Sequence, residues 1–117
     1  MKYLCLIYLD EQQMDAMPAG DMSALNARHL ELNDGLRASG HFVEAEALQP
    51  AKTTATVRVR KGKLSVTDGP FIEAKELVAG FYLIEARDLD EAIAIAGRIP
   101  SASIGTVEVR PTRQLIV

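Results

Sequence analysis

Tryptophan is absent, and three phenylalanines and three tyrosines supply only 5% of the chain. Any core must therefore be built from Leu, Ile, Val and Ala. Cys5 is the only cysteine, which excludes an internal disulfide, and its place in an apolar run reads as an inert buried thiol rather than a reactive one. Two histidines and one cysteine without ligand spacing leave little from which to build a zinc site. Gly-rich phosphate loops and dinucleotide fingerprints are missing too, so no cofactor is expected. Basic residues are not in excess: 13 Lys and Arg against 16 Asp and Glu give a net charge of −3, which offers no general attraction to nucleic acid or anionic membrane. No stretch approaches the ~20 apolar residues of a membrane span. The apolar run from Tyr3 to Leu9 follows Lys2, but it is short, is followed by Asp10 and Glu11, and has no small-residue cleavage site, so it does not read as a signal peptide. A cytoplasmic protein is the expectation.

What is present is a chain of 117 residues, 48% apolar and 25% charged, the size and composition of a single globular domain spanning residues 1–117. Tyr3 to Leu9 is too short and too continuously apolar for a helix and predicts a strand buried on both faces. Gln12 to Gly20 reads as a surface loop or short helical turn. Met22, Leu25, Leu32 and Leu36 then mark an amphipathic helix, with His29 filling the gap in the stripe, Asp21 placed to cap its start and Gly40 to close its end. Phe42 to Leu48 is a weaker strand. Thr54 to Arg60 alternates as a strand with one wet face, turns at Lys61 and Gly62, and returns from Lys63 to Thr67 as a hairpin. Asp68, Gly69, Pro70 and Phe71 break the pattern. Val78 to Ala86 predicts another strand, with Val78, Tyr82 and Ile84 on one face and Ala79, Phe81 and Leu83 on the other. Asp88 and Glu91 have the form of a capping box before a helix ended by Pro100, and Thr106 to Arg110 supplies the last strand.

This order describes an α+β fold with two main helices packed on one face of an antiparallel sheet. The opposite face is left bare, yet the strands at Tyr3 to Leu9 and Val78 to Ala86 are apolar on both sides. Something must cover that face, and a second copy related by a two-fold axis is the simplest cover. A homodimer is therefore expected.

The run Thr67, Asp68, Gly69, Pro70, Phe71, followed by Glu73, Lys75, Glu76 and the pair Gly80, Phe81, resembles the signature of the YCII-related family in its DGPF-motif branch. The resemblance extends over the opening strand at Lys2 to Tyr8, His29, Glu46 to Gln49 and the closing Gly105 to Pro111. It implies a ferredoxin-like α+β sandwich that pairs into a dimeric α+β barrel. It implies little chemistry: a few relatives look like lyases or dehalogenating enzymes, a histidine with a nearby carboxylate has been suggested as an acid–base pair, and some DGPF-type genes lie beside those of alternative sigma factors. The resemblance thus admits a His-based lyase- or isomerase-like enzyme, or a non-catalytic regulatory or binding module.

His29 is the leading candidate for chemistry, because an imidazole with a pKa near ~6.5 can exchange a proton at neutral pH. The competing reading is a core histidine satisfied by a hydrogen bond. Asp68 is the candidate partner, with a turn-forming role before Gly69 and Pro70 as the alternative. In some relatives the acidic partner lies further along the histidine's helix; here that region holds Ala38, and Asp34, five positions beyond His29, faces another side. Tyr8, Gln49, Phe71, Phe81 and Tyr82 can line a pocket with apolar walls and polar tips, or simply be core. His41, after the helix-ending Gly40, reads as solvent-exposed. Arg58, Arg60, Lys61 and Lys63 cluster on the hairpin, where charge protects an edge from pairing more readily than it recruits nucleic acid.

Overall fold

The computed structural model describes residues 1–117. In chain order the strands are β1 (Lys2–Asp10), β2 (Phe42–Ala47), β3 (Ala55–Arg60), β4 (Lys63–Asp68), β5 (Glu76–Glu85) and β6 (Thr106–Pro111). The helices are α1 (Glu11–Asp15), α2 (Ala19–Ser39) and α3 (Leu89–Ala96), with single 3₁₀ turns at Ala51–Thr53 and Pro100–Ser103. Four strands form one antiparallel sheet in the order β2-β5-β1-β6, and β3 with β4 forms a separate two-stranded ladder. The arrangement is ferredoxin-like, with the β3–β4 hairpin inserted between β2 and β5.

Alternation along β1 decides where the core lies. Tyr3, Cys5, Ile7 and Leu9 are buried, together with Tyr82 and Ile84 of β5, Leu32 and Leu36 of α2, and Ala92, Ile95, Ala96 and Ile99 in and after α3. The residues between them face the other way. Leu4 pairs with Leu83 and Arg110, Leu6 with Phe81 and Glu108, and Tyr8 with Val78 and Thr106. Within a single chain neither central strand is buried on both faces: Leu4, Leu6, Tyr8, Phe81 and Leu83 are only half-buried. The face assigned to Val78 is also corrected. A bulge opposite Ile7 and Tyr8 lets Ala79 fall out of register, which returns Val78 to the open face with Tyr8.

Local chemistry explains most of the element boundaries. α2 starts earlier than its pattern predicts, at Ala19 after Pro18, so Asp21 sits within the first turn instead of capping it. Gly40 closes the helix with φ of 80°. Asp88 does cap α3, its carboxylate accepting from the Glu91 backbone N–H at 2.9 Å, while the Glu91 carboxylate accepts from the Arg87 N–H at 2.9 Å. Both carboxyls are held below their ordinary range, each chiefly by the backbone N–H it accepts. Gly80 is needed where β5 passes β2, since a Cβ there would lie 2.8 Å from the Glu46 carbonyl oxygen.

The hairpin departs most from its pattern. Val57, Val59, Leu64 and Val66 share one face, yet all are more than half exposed, so both faces of the β3–β4 ladder are wet. The reason is that the hairpin stands off the main sheet and nothing in the chain lies over it. It is anchored at its base, where the Gly69 N–H donates to the Thr54 carbonyl at 2.7 Å and the Thr56 hydroxyl donates to the Gly69 carbonyl at 2.7 Å. Gly69 itself has φ of 89°, a conformation that other residues adopt only with strain.

Candidate functional site

The two faces of α2 do different work. Leu32 and Leu36 are buried in the core, and Leu25 is buried where the core meets the cavity wall. Met22, Asn26, His29 and Asn33, spaced four, three and four residues apart, instead line a cavity of about 780 Å³. Its other walls come from Ile7 and Leu9 at the end of β1, Glu11, Met14 and Asp15 of α1, Ala45 to Pro50 of β2 and the loop after it, Lys52, Ala79 to Tyr82 of β5, and Ser101. This is the size and mixed character of a small-molecule site.

His29 stands at the inner wall of the cavity and is tied on both sides. Its Nδ1 lies 3.0 Å from the Tyr82 hydroxyl and its Nε2 lies 2.7 Å from the Ser101 hydroxyl. The imidazole and phenol rings stack at 6.1 Å between centroids and 24° between planes. A neutral imidazole has one N–H and one lone pair, and each hydroxyl can either donate or accept, so the three groups satisfy one another whichever ring nitrogen carries the proton. What disfavours the charged ring is desolvation by burial, followed by the charge of Arg28, which together push the His29 pKa below its ordinary 6.5. Burial pushes the Tyr82 phenol up to about 12. The arrangement can therefore hold a base in its neutral form and pass a proton between two hydroxyls.

The remaining expected site residues separate. Gln49 and Tyr82 line the cavity; Phe81 borders it along β5 between Gly80 and Tyr82, while its ring alternates to the open face with Leu6. Tyr8 lies on the open face of the sheet opposite Val78, outside the cavity lining, where burial first and the neighbouring Glu108 carboxylate second raise its pKa. Phe71 is 69% exposed and lies outside the lining. Asp68 ends β4 on the hairpin, paired with Ala55 and exposed, while both His29 ring nitrogens face hydroxyls. No His29–Asp68 pair forms within the chain, because the hairpin carries Asp68 away from the sheet on which Tyr82 sits. Asp34 pairs with Arg37 at 3.1 Å on the surface. His41 is less exposed than its position suggested: Nδ1 lies 2.7 Å from the Ser39 hydroxyl and Nε2 lies 3.2 Å from a Glu91 carboxylate oxygen.

Two groups went unforeseen. Ser101 is 3% exposed and follows Pro100 at the start of a 3₁₀ turn, a position with no sequence signal for chemistry. Asn33 repeats His29 one helical turn on, and its buried Oδ1 has no hydrogen-bond partner. The Asn26, His29, Asn33 spacing was the available clue, since three polar residues on one helical face do not belong in a core. No three His, Cys, Asp or Glu side chains converge to hold a metal ion. No helix is long and apolar enough to cross a membrane. The Cys5 thiol, fully buried, is pushed up to about 11 by desolvation, as an inert core thiol should be.

Comparison with known proteins agrees with this fold. The model of the YCII-related domain matches residues 1–116. An uncharacterized protein of Rhizobium meliloti (strain 1021) is 36% identical over 120 residues, covering 95% of this chain and 91% of its own length. With a family match across nearly the whole chain and a relative of this identity, the protein belongs to the YCII-related family.

Proposed function

We propose that this protein binds a small molecule in the cavity beneath α2 and that His29 performs acid–base chemistry on it, in a homodimer. The observation that carries the reading is the Tyr82–His29–Ser101 chain at 3.0 Å and 2.7 Å on the wall of the 780 Å³ cavity. A histidine that merely filled the core would not need an open volume beside it. Its lowered pKa keeps it in the form that accepts a proton at neutral pH. The dimer is supported by the apolar half-buried strip Leu4, Leu6, Tyr8, Phe81 and Leu83, with Val78 38% exposed beside it, on the sheet face that no helix covers.

The two parts are tested separately. Light scattering at micromolar concentration should give twice the 12.7 kDa chain mass; a 12.7 kDa species removes the dimer. The His29 ring resonances, followed by NMR between pH 4 and 8 while a library of small polar compounds is added, should titrate below 6.5 and shift with at least one compound. A resonance that responds to none of them returns His29 to a structural role.

A further inference from the structure

The acid–base reading leaves open which atom meets the ligand. Both ring nitrogens of His29 are already occupied, so the imidazole cannot touch a ligand without giving up a hydroxyl partner. Of those partners, Ser101 is the one with nucleophilic chemistry. Its hydroxyl lies 2.7 Å from Nε2, it lines the cavity, and His29 is its only side-chain hydrogen-bond partner. On the far side, Tyr82 fixes the imidazole through Nδ1 at 3.0 Å and through ring stacking. Nucleophile, base and orienting group within hydrogen-bond reach of one another is the arrangement that activates a serine.

Resting on the proposal that the cavity is a ligand site, we infer that Ser101 is a nucleophile activated by His29, and that the cavity accepts uncharged carboxylic esters. In the reacting tautomer the Nδ1–H donates to the Tyr82 oxygen and the Nε2 lone pair faces Ser101. As the Ser101 Oγ bonds to the ester carbonyl carbon, its proton passes to Nε2 and the carbonyl π pair moves onto oxygen. Collapse of the tetrahedral species breaks the carbon–alkoxy bond, and the leaving oxygen takes the proton back from Nε2 as the alcohol. Water then attacks the acyl-Ser101 ester by the same steps and releases the acid. Tyr82 acts as a positioning residue. Because it is a neutral phenol and not a carboxylate, it stabilises the transient imidazolium less, so acylation and deacylation are both slow, and the acyl-enzyme accumulates when the substrate carries an activated leaving group that makes deacylation the slower step. The preference for uncharged substrates follows from the lining, in which Glu11 and Asp15 outnumber a single cation, Lys52, so that an acyl group bearing its own carboxylate is repelled.

The test uses the full-length protein and an alkyl fluorophosphonate with an uncharged chain, read by intact mass and peptide mapping. One adduct is expected, on Ser101, together with a stoichiometric burst of p-nitrophenol from p-nitrophenyl butyrate. His29→Gln should slow both by at least ~10²-fold, and Ser101→Ala should abolish them. Tyr82→Phe should retain the adduct but move the pH profile of its formation, which loss of packing alone would not do. Since Ser101 is buried, Ser101→Cys guards against a folding failure: its new thiol should react with iodoacetamide in a His29-dependent way, against a background of an inert Cys5. No adduct at Ser101, or one formed at the same rate in His29→Gln, overturns the proposal. A compound that shifts the His29 resonance in a protein whose Ser101 stays unlabelled would overturn the nucleophile while leaving the acid–base site standing; silence in both measurements removes both.

Discussion

The two faces of the central sheet are made from the same strands and nearly the same residue types, yet they have different fates. On one, Tyr3, Cys5, Ile7, Leu9, Tyr82 and Ile84 lie under α2 and α3 and are buried. On the other, Leu4, Leu6, Tyr8, Phe81 and Leu83 remain half-exposed, edged by Glu44 and Glu46 of β2 and by Glu108 and Arg110 of β6. The two tyrosines show what the difference means. Tyr82 on the covered face meets an imidazole and becomes part of a candidate site, whereas Tyr8 on the open face meets the Glu108 carboxylate of an edge strand. Hydrophobic pattern sets which residues avoid water, but the elements lying over a face decide what those residues can do.

The largest expected contrast is energetic. Ile84→Ala, at a fully buried position, should cost about 2–5 kcal/mol in urea denaturation. The same truncation at Leu6 should cost less than about half of that in dilute protein, since less area leaves water when it folds. If the Leu6→Ala deficit grows with protein concentration, a second copy covers the open face; if the two truncations cost the same when dilute, the contrast between faces is wrong. Next comes the wall shared by β5 and β2. Gly80→Ala places a Cβ against the Glu46 carbonyl and should cost about 1–3 kcal/mol, read as a lower denaturation midpoint together with weakened binding of any cavity ligand.

A smaller effect concerns pH. The His29 pKa is lower folded than unfolded, so below 6.5 the unfolded chain binds more protons than the native one. Stability from this group is therefore fully present above 6.5 and is lost as pH falls through the depressed folded value. Denaturation midpoints from pH 7.5 down to 4.5 should decline more steeply for the wild type than for His29→Gln; parallel curves would show that burial of His29 does not disfavour the charged ring. Smallest of all, Asp68→Asn on the exposed hairpin should change stability by no more than about 0.5 kcal/mol and leave the His29 titration of the isolated chain unmoved. A shift of the His29 titration in that variant would mean that the hairpin reaches a cavity, its own or that of another copy.

The strands were readable because alternation and continuous apolar runs are local signals, and β1, β3, β4 and β6 lie within one or two residues of their patterns. The bulge at Ala79 was not, since a residue dropping out of register depends on the partner strand and moves Val78 to the opposite face. His29 was readable as a histidine on the inner side of a helix. Its partners were not: Tyr82 lies 53 residues away and Ser101 lies 72 residues away, and hydrogen bonds over such separations leave no spacing in the chain. Asp68 drew notice for the opposite reason, since its motif is conspicuous locally, but Gly69 at φ of 89° and the bonds to Thr54 and Thr56 give that motif a turn to hold.

By itself, the sequence determined an α+β chain with a small aliphatic core, a buried Cys5, a helix ended at Gly40 and one histidine turned inward, because periodicity, capping and composition act over a few residues at a time. Only the tertiary structure decided that the hairpin stands apart with both faces wet, that one sheet face is covered and the other is not, and that His29 meets two hydroxyls instead of Asp68. The physical reason is that each of these depends on which distant surfaces pack together, and a side chain's partners, solvation and proton affinity are fixed by that packing and not by its neighbours in the chain.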